Sequence, residues 1–279
     1  KEGVSDTSIV IPETINGMPV TAIGAKAFES TSITGIKIGE NIKVLGKQAF
    51  SECKNLKSAI WNCKCNAIPD YCFYRCTKLK HFDFSAIKKV GQYAFRESGL
   101  QEVCLPKNIE ILECGTFSRC NGLRSVTWNC KCDAISAHCF SECPNLTQFD
   151  FSSIKEIGRY AFWRSGLQEV SLPKNIVIIS TGTFSRCNGL RSVTWNCKCN
   201  AIPSYCFYMC PNLTNFDFAG IKKIEQDAFG KSGLISVTLS KGTAVGQSCF
   251  AFCDSLAKVE WLSDLSLIHI SEPTRPRLI

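Results

Sequence analysis

Residues 50–116 read FSECKNLKSAIWNCKCNAIPDYCFYRCTKLKHFDFSAIKKVGQYAFRESGLQEVCLPKNIEILECGT, and the stretch returns with changes at residues 117–183 and again from residue 184. Within it lies a shorter unit of 21 to 23 residues, each with one phenylalanine at a fixed place. The series is Phe28, Phe50, Phe73, Phe95, Phe117, Phe140, Phe162, Phe184, Phe207, Phe229 and Phe250. A fixed period of about 20 to 50 residues is typical of a solenoid, in which like coils stack on one another. We therefore predict one stacked array.

Each unit has the same predicted parts. A short helical turn, such as VGQYAF at residues 90–95, is followed by a short strand whose inward side chains lie two residues apart. The inward pairs are Ile36 and Ile38, Ala59 and Trp61, Phe82 and Phe84, Val103 and Leu105, Val126 and Trp128, Phe149 and Phe151, Val170 and Leu172, Val193 and Trp195, Phe216 and Phe218, Val237 and Leu239, and Val259 and Trp261. With a first strand at Ile9 and Ile11, the pattern predicts about 12 coils of 22–23 residues. A parallel β-sheet is expected on one face and short helical turns on the other.

The true repeat is a triplet of coils, because every third unit has the same character. One coil type carries tryptophan on its strand, the next carries Phe-Asp-Phe, and the third ends at Leu-Pro or a variant of it. Residues 117–132 and 184–199 are identical, FSRCNGLRSVTWNCKC. Near-copies of this kind predict a surface that repeats every three coils.

The motif IPxxIxxxPVTxIGxxAF at residues 11–28 and the pattern FxxCxxLxxVxW at residues 117–128 resemble the BspA-type leucine-rich repeats. The resemblance extends over about residues 9–261 and rests on eleven copies of the unit. It implies a right-handed solenoid like those on surface proteins of oral bacteria and parasitic protists, and a role in adhesion to host cells and matrix. The WNCKC segment and the triplet regularity depart from the family pattern.

Three regions follow from the repeat. Residues 1–27 are expected to form an N-terminal cap and the first coil, and residues 28–262 the leucine-rich repeat solenoid. Residues 263–279 continue no repeat, and SLIHISEPT within them resembles a translated sequencing adaptor. We therefore expect this tail to be artefactual or truncated.

Charge and hydropathy argue against two classes of partner. The chain has 32 basic and 24 acidic residues, a net charge of +8, but the basic residues are scattered and form no block interleaved with aromatic residues. We therefore expect no nucleic-acid partner. No run of about 18 apolar residues is present, so we expect no membrane span in this chain.

Cysteine is unusually frequent, with 19 in the chain. One repeating set is Cys53, Cys63, Cys65, Cys72 and Cys76, spaced C-x9-C-x-C-x6-C-x3-C. Three interpretations stay open for these residues: buried free thiols that pack as small hydrophobic groups, disulfides between neighbouring coils, and structural zinc. Cys104 lies between inward Val103 and Leu105, so it is expected to face outward.

The sequence predicts no enzyme, no cofactor and no metal site. The chain has three histidines, His81, His138 and His269, and none recurs in the triplet. No Gly-rich phosphate loop or HExxH motif is present, and a cysteine next to His138 in sequence does not establish a catalytic pair.

The candidate ligand-binding surface is a polar track on the concave side of the sheet. Its members are Asp83, Asp150 and Asp217 on every third strand, His81, Gln148 and Asn215 beside them, and Asn62, Asn129 and Asn196 one coil earlier. An ordinary solvated sheet face would show the same alternation, but solenoids commonly bind partners on this side.

Two functions are consistent with these features. The first is a non-enzymatic cell-surface or secreted protein that uses the array as a multivalent interaction surface for adhesion. Its partner would be a protein, an extracellular-matrix ligand or a glycan. The alternative is an intracellular leucine-rich repeat scaffold with reduced cysteines. The oligomeric state does not follow from the sequence.

Overall fold

The computed structural model describes residues 7–262, and all regular secondary structure in this range is β-strand. In chain order the strands are β1 (Ser8–Val10), β2 (Thr14–Ile15), β3 (Met18–Pro19), β4 (Ala22–Ile23), β5 (Gly35–Ile38), β6 (Val44–Leu45), β7 (Ser58–Trp61), β8 (Ala67–Ile68), β9 (Lys89–Val90), β10 (Glu102–Leu105), β11 (Ile111–Leu112), β12 (Ser125–Trp128), β13 (Ala134–Ile135), β14 (Glu156–Ile157), β15 (Glu169–Leu172), β16 (Ile178–Ile179), β17 (Ser192–Trp195), β18 (Ala201–Ile202), β19 (Lys223–Ile224), β20 (Ser236–Ser240), β21 (Ala244–Val245) and β22 (Lys258–Leu262). The expected tail at residues 263–279 lies outside the described residues. The region boundaries at residues 27 and 262 stay predictions.

Nine longer strands form the predicted parallel face: β1, β5, β7, β10, β12, β15, β17, β20 and β22. Their register follows the repeat, since Ile36 lies opposite Ala59 and Ile38 opposite Trp61. Burial alternates along them as expected for a half-buried strand: in β10, Val103 and Leu105 are buried while Cys104 is exposed. The predicted solenoid and the outward position of Cys104 are therefore confirmed.

Three of the twelve predicted strands are wrong, because the Phe-Asp-Phe coils contain no strand at this position. The parallel face is interrupted between β7 and β10, between β12 and β15, and between β17 and β20. In these coils the aspartate binds its own backbone: Asp83 Oδ1 accepts a hydrogen bond of 2.8 Å from the backbone N–H of Ser85. Such an Asx turn bends the chain at a point where a strand would have to stay extended.

A second ladder consists of two-residue strands on another side of the coil. Eleven such strands, β4, β6, β8, β9, β11, β13, β14, β16, β18, β19 and β21, pair in parallel within four small sheets. In nearly every one of these two-residue strands the second residue is buried, as Val90 and Ile135 are. β2 and β3 form the one antiparallel pair of the described residues, inside the first coil.

The predicted helical turns are replaced by pairs of tight turns around each phenylalanine. The residues two before and two after every phenylalanine of the series have a positive φ, from 52° to 65°. At Phe140 these neighbours are His138 and Glu142, each with φ of 56°. An α-helix needs a φ of about −63° at every residue, so it cannot pass through these positions. A left-handed residue that is not glycine is also disfavoured by about 1–2 kcal/mol.

The same turns bind each coil to the next. His138, Phe140 and Glu142 donate backbone N–H hydrogen bonds of 2.6 to 2.9 Å to carbonyl oxygens of the following coil. The same pattern recurs from coil to coil. The energetic cost of the left-handed residues is therefore offset by backbone hydrogen bonds between neighbouring coils. We call the surface from two residues before to two residues after each phenylalanine the turn face.

The core is a continuous column of rings. Successive phenylalanines of the series are stacked with ring centroids 5.2 to 5.9 Å apart. The nine inner members are fully buried, whereas Phe28 and Phe250 at the two ends keep partial exposure. Each ring is therefore buried by the coils on both sides of it, as the repeat predicts.

Candidate functional site

The nine predicted ligand-binding residues are all exposed. They lie on the strand face, which we define as the exposed side chains of the nine longer strands, of the three Phe-Asp-Phe segments, and of the residues directly before and after these. Asp83, Asp150 and Asp217 each lie between two inward phenylalanines, as in Phe82-Asp83-Phe84, where the two ring centroids are 4.9 Å apart. The two inward rings therefore fix the backbone at each aspartate in the same way, and the carboxylate recurs at the same place on the surface.

The three aspartates have a local structural role that the sequence analysis missed. Asp83 and Asp150 each accept one hydrogen bond from a backbone N–H and one from a hydroxyl of the serine two residues on, at 2.8 to 3.0 Å. Asp217 accepts one bond of 2.8 Å from the backbone N–H of Ala219. Since an ionised carboxylate has about four acceptor sites, each aspartate keeps capacity for an external donor.

The structure brings only part of the track together. Asn215 and Asp217 line one hollow of about 200 Å³ with Ser236 and Thr238 on β20. The three asparagines follow the last residue of a Trp-bearing strand, and Asn62 donates its backbone N–H to Ile38 of the preceding coil. The track is thus a set of separate exposed groups in three pairs of neighbouring coils, with one shallow hollow in the third pair.

The cysteines are free thiols in this structure. Seven of them lie three residues after a phenylalanine of the series, and each donates its thiol hydrogen to the carbonyl oxygen of the phenylalanine one coil earlier. These are Cys53, Cys76, Cys120, Cys143, Cys187, Cys210 and Cys253, with S···O distances of 2.9 to 3.3 Å. Burial raises the pKa of Cys120 and Cys187 to about 12, so both are protonated at neutral pH.

The WNCKC segment, the departure from the family pattern, has a structural explanation. The indole N–H of Trp61, Trp128 and Trp195 donates to the carbonyl oxygen of the cysteine four residues on, at 2.8 to 2.9 Å. The tryptophan therefore closes the loop that contains the C-x-C pair. A buried indole needs such an acceptor, and this loop supplies it.

The histidines and cysteines do not assemble a metal centre in the part of the chain that the structure describes, where no group of three or more metal-binding side chains occurs. His81 is exposed on the strand face. His138 stacks on Tyr160 with centroids 5.5 Å apart, and burial together with Arg159 and Arg96 lowers its pKa. His269 lies outside the described residues.

One surface that the sequence analysis missed is a groove on the turn face, of about 570 Å³. Its lining runs over six coils: Tyr93, Arg96, Ser118, Arg119, His138, Ser141, Glu142, Tyr160, Trp163, Arg164, Ser185, Arg186, Tyr205 and Tyr208. All of these residues lie between two before and two after a phenylalanine of the series. An alignment of the repeats, compared position by position around each phenylalanine, would have shown these residues together.

The fold and the two polar faces define this protein as a leucine-rich repeat β-solenoid. The sequence profile of the BspA type leucine rich repeat region matches in six copies, over residues 3–124, 88–206 and 155–271. This chain therefore belongs to the BspA-type leucine-rich repeat family. No match is found among curated protein sequences.

Solved structures show the same fold at low sequence identity. A leucine-rich repeat protein from Bacteroides ovatus is 19% identical with a TM-score of 0.63, over 94% of this chain and 84% of that one. The pneumococcal vaccine antigen PcpA is 18% identical with a TM-score of 0.60, over 94% and 74%. The T. pallidum leucine-rich repeat protein is 22% identical with a TM-score of 0.52, over 66% and 78%.

A helix long and apolar enough to cross a membrane is absent from residues 7–262.

Proposed function

We propose that this protein is a non-enzymatic cell-surface or secreted adhesion protein that uses the strand face as a multivalent ligand-binding surface. Membership of the BspA-type family supports a role in interaction. One structural relative is described as a vaccine antigen, a description that agrees with exposure outside the cell. The partner would be a protein, an extracellular-matrix ligand or a glycan.

The observation that carries the proposal is the threefold repetition of one exposed carboxylate in one environment. Asp83, Asp150 and Asp217 recur at every third coil between the same pair of inward rings. At about 4.8 Å per coil, neighbouring carboxylates lie about 14 Å apart. A ligand with a matching repeat would bind all three at once, and its affinity would exceed that of one contact through effective concentration.

The test replaces all three aspartates with asparagine. Asparagine keeps the side-chain oxygen that accepts the backbone N–H, so the Asx turns and the fold are retained while the charges are lost. We expect binding to an immobilised extracellular-matrix extract to fall about tenfold or more in the triple variant, and less in each single variant.

Asp254→Asn, which removes one exposed carboxylate outside the strand face, is the matched control. Unchanged matrix binding by a folded triple asparagine variant would reject the strand-face site.

A second candidate function, the intracellular scaffold, is favoured by one observation. The seven thiols that donate to phenylalanine carbonyls fill the coil interior as reduced groups. A count of free thiols in protein unfolded directly from its native source separates the two functions. A count near 19 supports the scaffold in a reducing compartment, and few free thiols support export.

A further inference from the structure

The turn-face groove is bordered by aromatic walls and has a floor of small residues. One column of the repeat, directly after each phenylalanine, runs Arg96, Ser118, Ser141, Trp163, Ser185 and Tyr208 through the groove. The serines are buried, while Trp163 and Tyr208 are partly exposed. Large side chains thus stand at intervals above a floor of serines, and the groove extends over about 24 Å at about 4.8 Å per coil.

The neighbouring column, two residues after each phenylalanine, is a ladder of alternating charge. It runs Glu52, Arg75, Glu97, Arg119, Glu142 and Arg164, one residue per coil. Consecutive members form ion pairs with N···O distances of 2.7 to 3.8 Å. Each inner charge is therefore neutralised by the coil above or below it.

The alternation ends inside the groove. After Arg164 the next coil supplies Arg186, a second cation, and within residues 7–262 Arg186 forms no ion pair. Arg164 has one ion pair, a 3.8 Å contact with Glu142, whose carboxylate already binds Arg119 at 2.7 Å. The Arg164 guanidinium also lies over the Trp163 ring, 5.2 Å from its centroid. Two adjacent guanidinium groups one coil apart, one of them partly buried, attract an anion.

A buried hydroxyl on the groove floor also lacks a partner. Ser118 is 3% exposed, and its Oγ atom forms no hydrogen bond in the described part of the chain. A buried polar atom without a partner destabilises the fold unless a ligand or water satisfies it. Ser118 lies in the floor of the same groove, three coils before Arg186, but its Oγ atom is closed off from the groove and is not part of the anion site.

From these features we infer that the turn-face groove binds an acidic oligosaccharide. The sulfate or carboxylate groups of the ligand pair with Arg164 and Arg186, and its sugar rings pack on Trp163 and Tyr208. An aromatic face is electron-rich and receives the C–H groups of a sugar ring, while a planar guanidinium binds an oxyanion through two donors. The site is separate from the strand face.

Two other ligand classes fit less well. A peptide that adds a strand would need an open backbone edge, but Arg119, Arg164 and Arg186 donate their backbone N–H groups to the following coil at 2.7 to 2.9 Å. A single-stranded nucleic acid carries a phosphate on every nucleotide, and Glu142 in the lining would repel it. An oligosaccharide with spaced anionic groups meets neither obstacle.

Calorimetric titration of the full chain tests the inference with four defined probes. These are a keratan sulfate hexasaccharide with one sulfate per disaccharide, a carboxylated hyaluronan hexasaccharide, neutral cellohexaose and a thymidylate hexanucleotide. We expect either or both acidic saccharides to bind, and which of them binds tighter identifies the anionic group. The neutral saccharide and the oligonucleotide are expected to bind at least about tenfold more weakly.

Arg186→Glu is the decisive variant, because it extends the alternation and places a carboxylate beside Arg164. It should stay folded and lose about tenfold or more in affinity for the acidic saccharide. The matched control, Lys174→Glu, makes the same change in net charge at an exposed residue outside the groove and should bind as the unchanged protein does. Trp163→Ser, which copies the residue of the neighbouring coils, should also weaken binding.

Four results would overturn the inference. They are no binding of either acidic saccharide, equal affinity for the neutral one, equal losses in Arg186→Glu and Lys174→Glu, and tighter binding of the oligonucleotide. The last would reassign the groove to single-stranded nucleic acid.

Discussion

At the scale of single residues, burial of the phenylalanine side chain is what each coil contributes to the whole. Phe140 is fully buried and stacks on Phe117 and Phe162, with Trp128 and Phe149 at its edge. Phe252, outside the series, is 74% exposed. Phe252 lies two residues after Phe250 of the series. A phenylalanine is therefore buried at one position of the repeat and exposed two residues later.

Replacing Phe140 with alanine should lower the free energy of unfolding by about 3–5 kcal/mol, because it leaves a cavity between two rings. Phe252→Ala, the matched control, should change it by less than about 0.5 kcal/mol. Urea denaturation followed by circular dichroism measures both. Similar small changes in the two variants would show that the ring column does not stabilise the stack.

Two other residue types act through single hydrogen bonds that the sequence did not predict. The thiols three residues after seven of the phenylalanines and the indoles of the WNCKC loops satisfy backbone carbonyl oxygens, as Cys76 and Trp61 do. Cysteine is suited to the first position because it is small and apolar yet carries a weak donor. Seven of the 19 cysteines thus have a structural role that requires neither zinc nor disulfides.

At the scale of the coil, the turn face holds neighbouring units together through backbone bonds and charge. Glu97 shows the balance at one carboxylate. Burial raises its pKa, but ion pairs with Arg75 and Arg119 and the nearby charge of Arg96 lower it by more than burial raises it. The pKa of Glu97 therefore lies below the ordinary value of 4.5. The ladder therefore contributes stability only while this carboxylate is ionised.

The pH dependence follows from that direction. A group whose pKa is lower in the folded state stabilises the fold fully above its unfolded pKa of about 4.5, and the stabilisation is lost as pH falls through the folded pKa. Glu97→Gln should therefore be less stable than the unchanged protein at pH 7, by roughly 0.5–1 kcal/mol, and the difference should shrink below about pH 4.5. Thermal unfolding between neutral and acid pH measures it.

Glu102→Gln is the control for this prediction, because Glu102 is exposed and forms no ion pair in the described range. It makes the same change in charge without touching the ladder. A constant difference between Glu97→Gln and the unchanged protein across the pH range would contradict the ladder's role.

At the scale of the whole molecule, the sequence predicted the stack and missed how its coils join. The period, the buried phenylalanine column, the register and the outward Cys104 all followed from spacing, because burial in a repeat depends on position within the unit. The prediction of helical turns was wrong, because most of the left-handed residues are of types that do not favour that conformation, such as Tyr93 and Arg164. Three strands were wrong because alternation alone does not distinguish a strand from an Asx turn.

The strand-face track was predicted from outward residues at a fixed spacing, and the exposure of its nine members agrees with that placement. The aspartates' backbone bonds and the hollow beside Asp217 needed coordinates. The turn-face groove was missed altogether. Its residues come from six coils, and they were not compared down the repeat because the expected helix gave no reason to do so.

The sequence by itself determined that this chain is a solenoid of repeated coils, which side chains face the core, and that one polar pattern returns every three coils. These features depend on the order of residues within one unit. Only the tertiary structure decided where the parallel face is interrupted, which thiols and indoles satisfy carbonyl groups, and where an arginine such as Arg186 has no ion pair within residues 7–262. Those features depend on contacts between coils about 22 residues apart, and hydrogen-bond geometry and charge between neighbouring coils decide them.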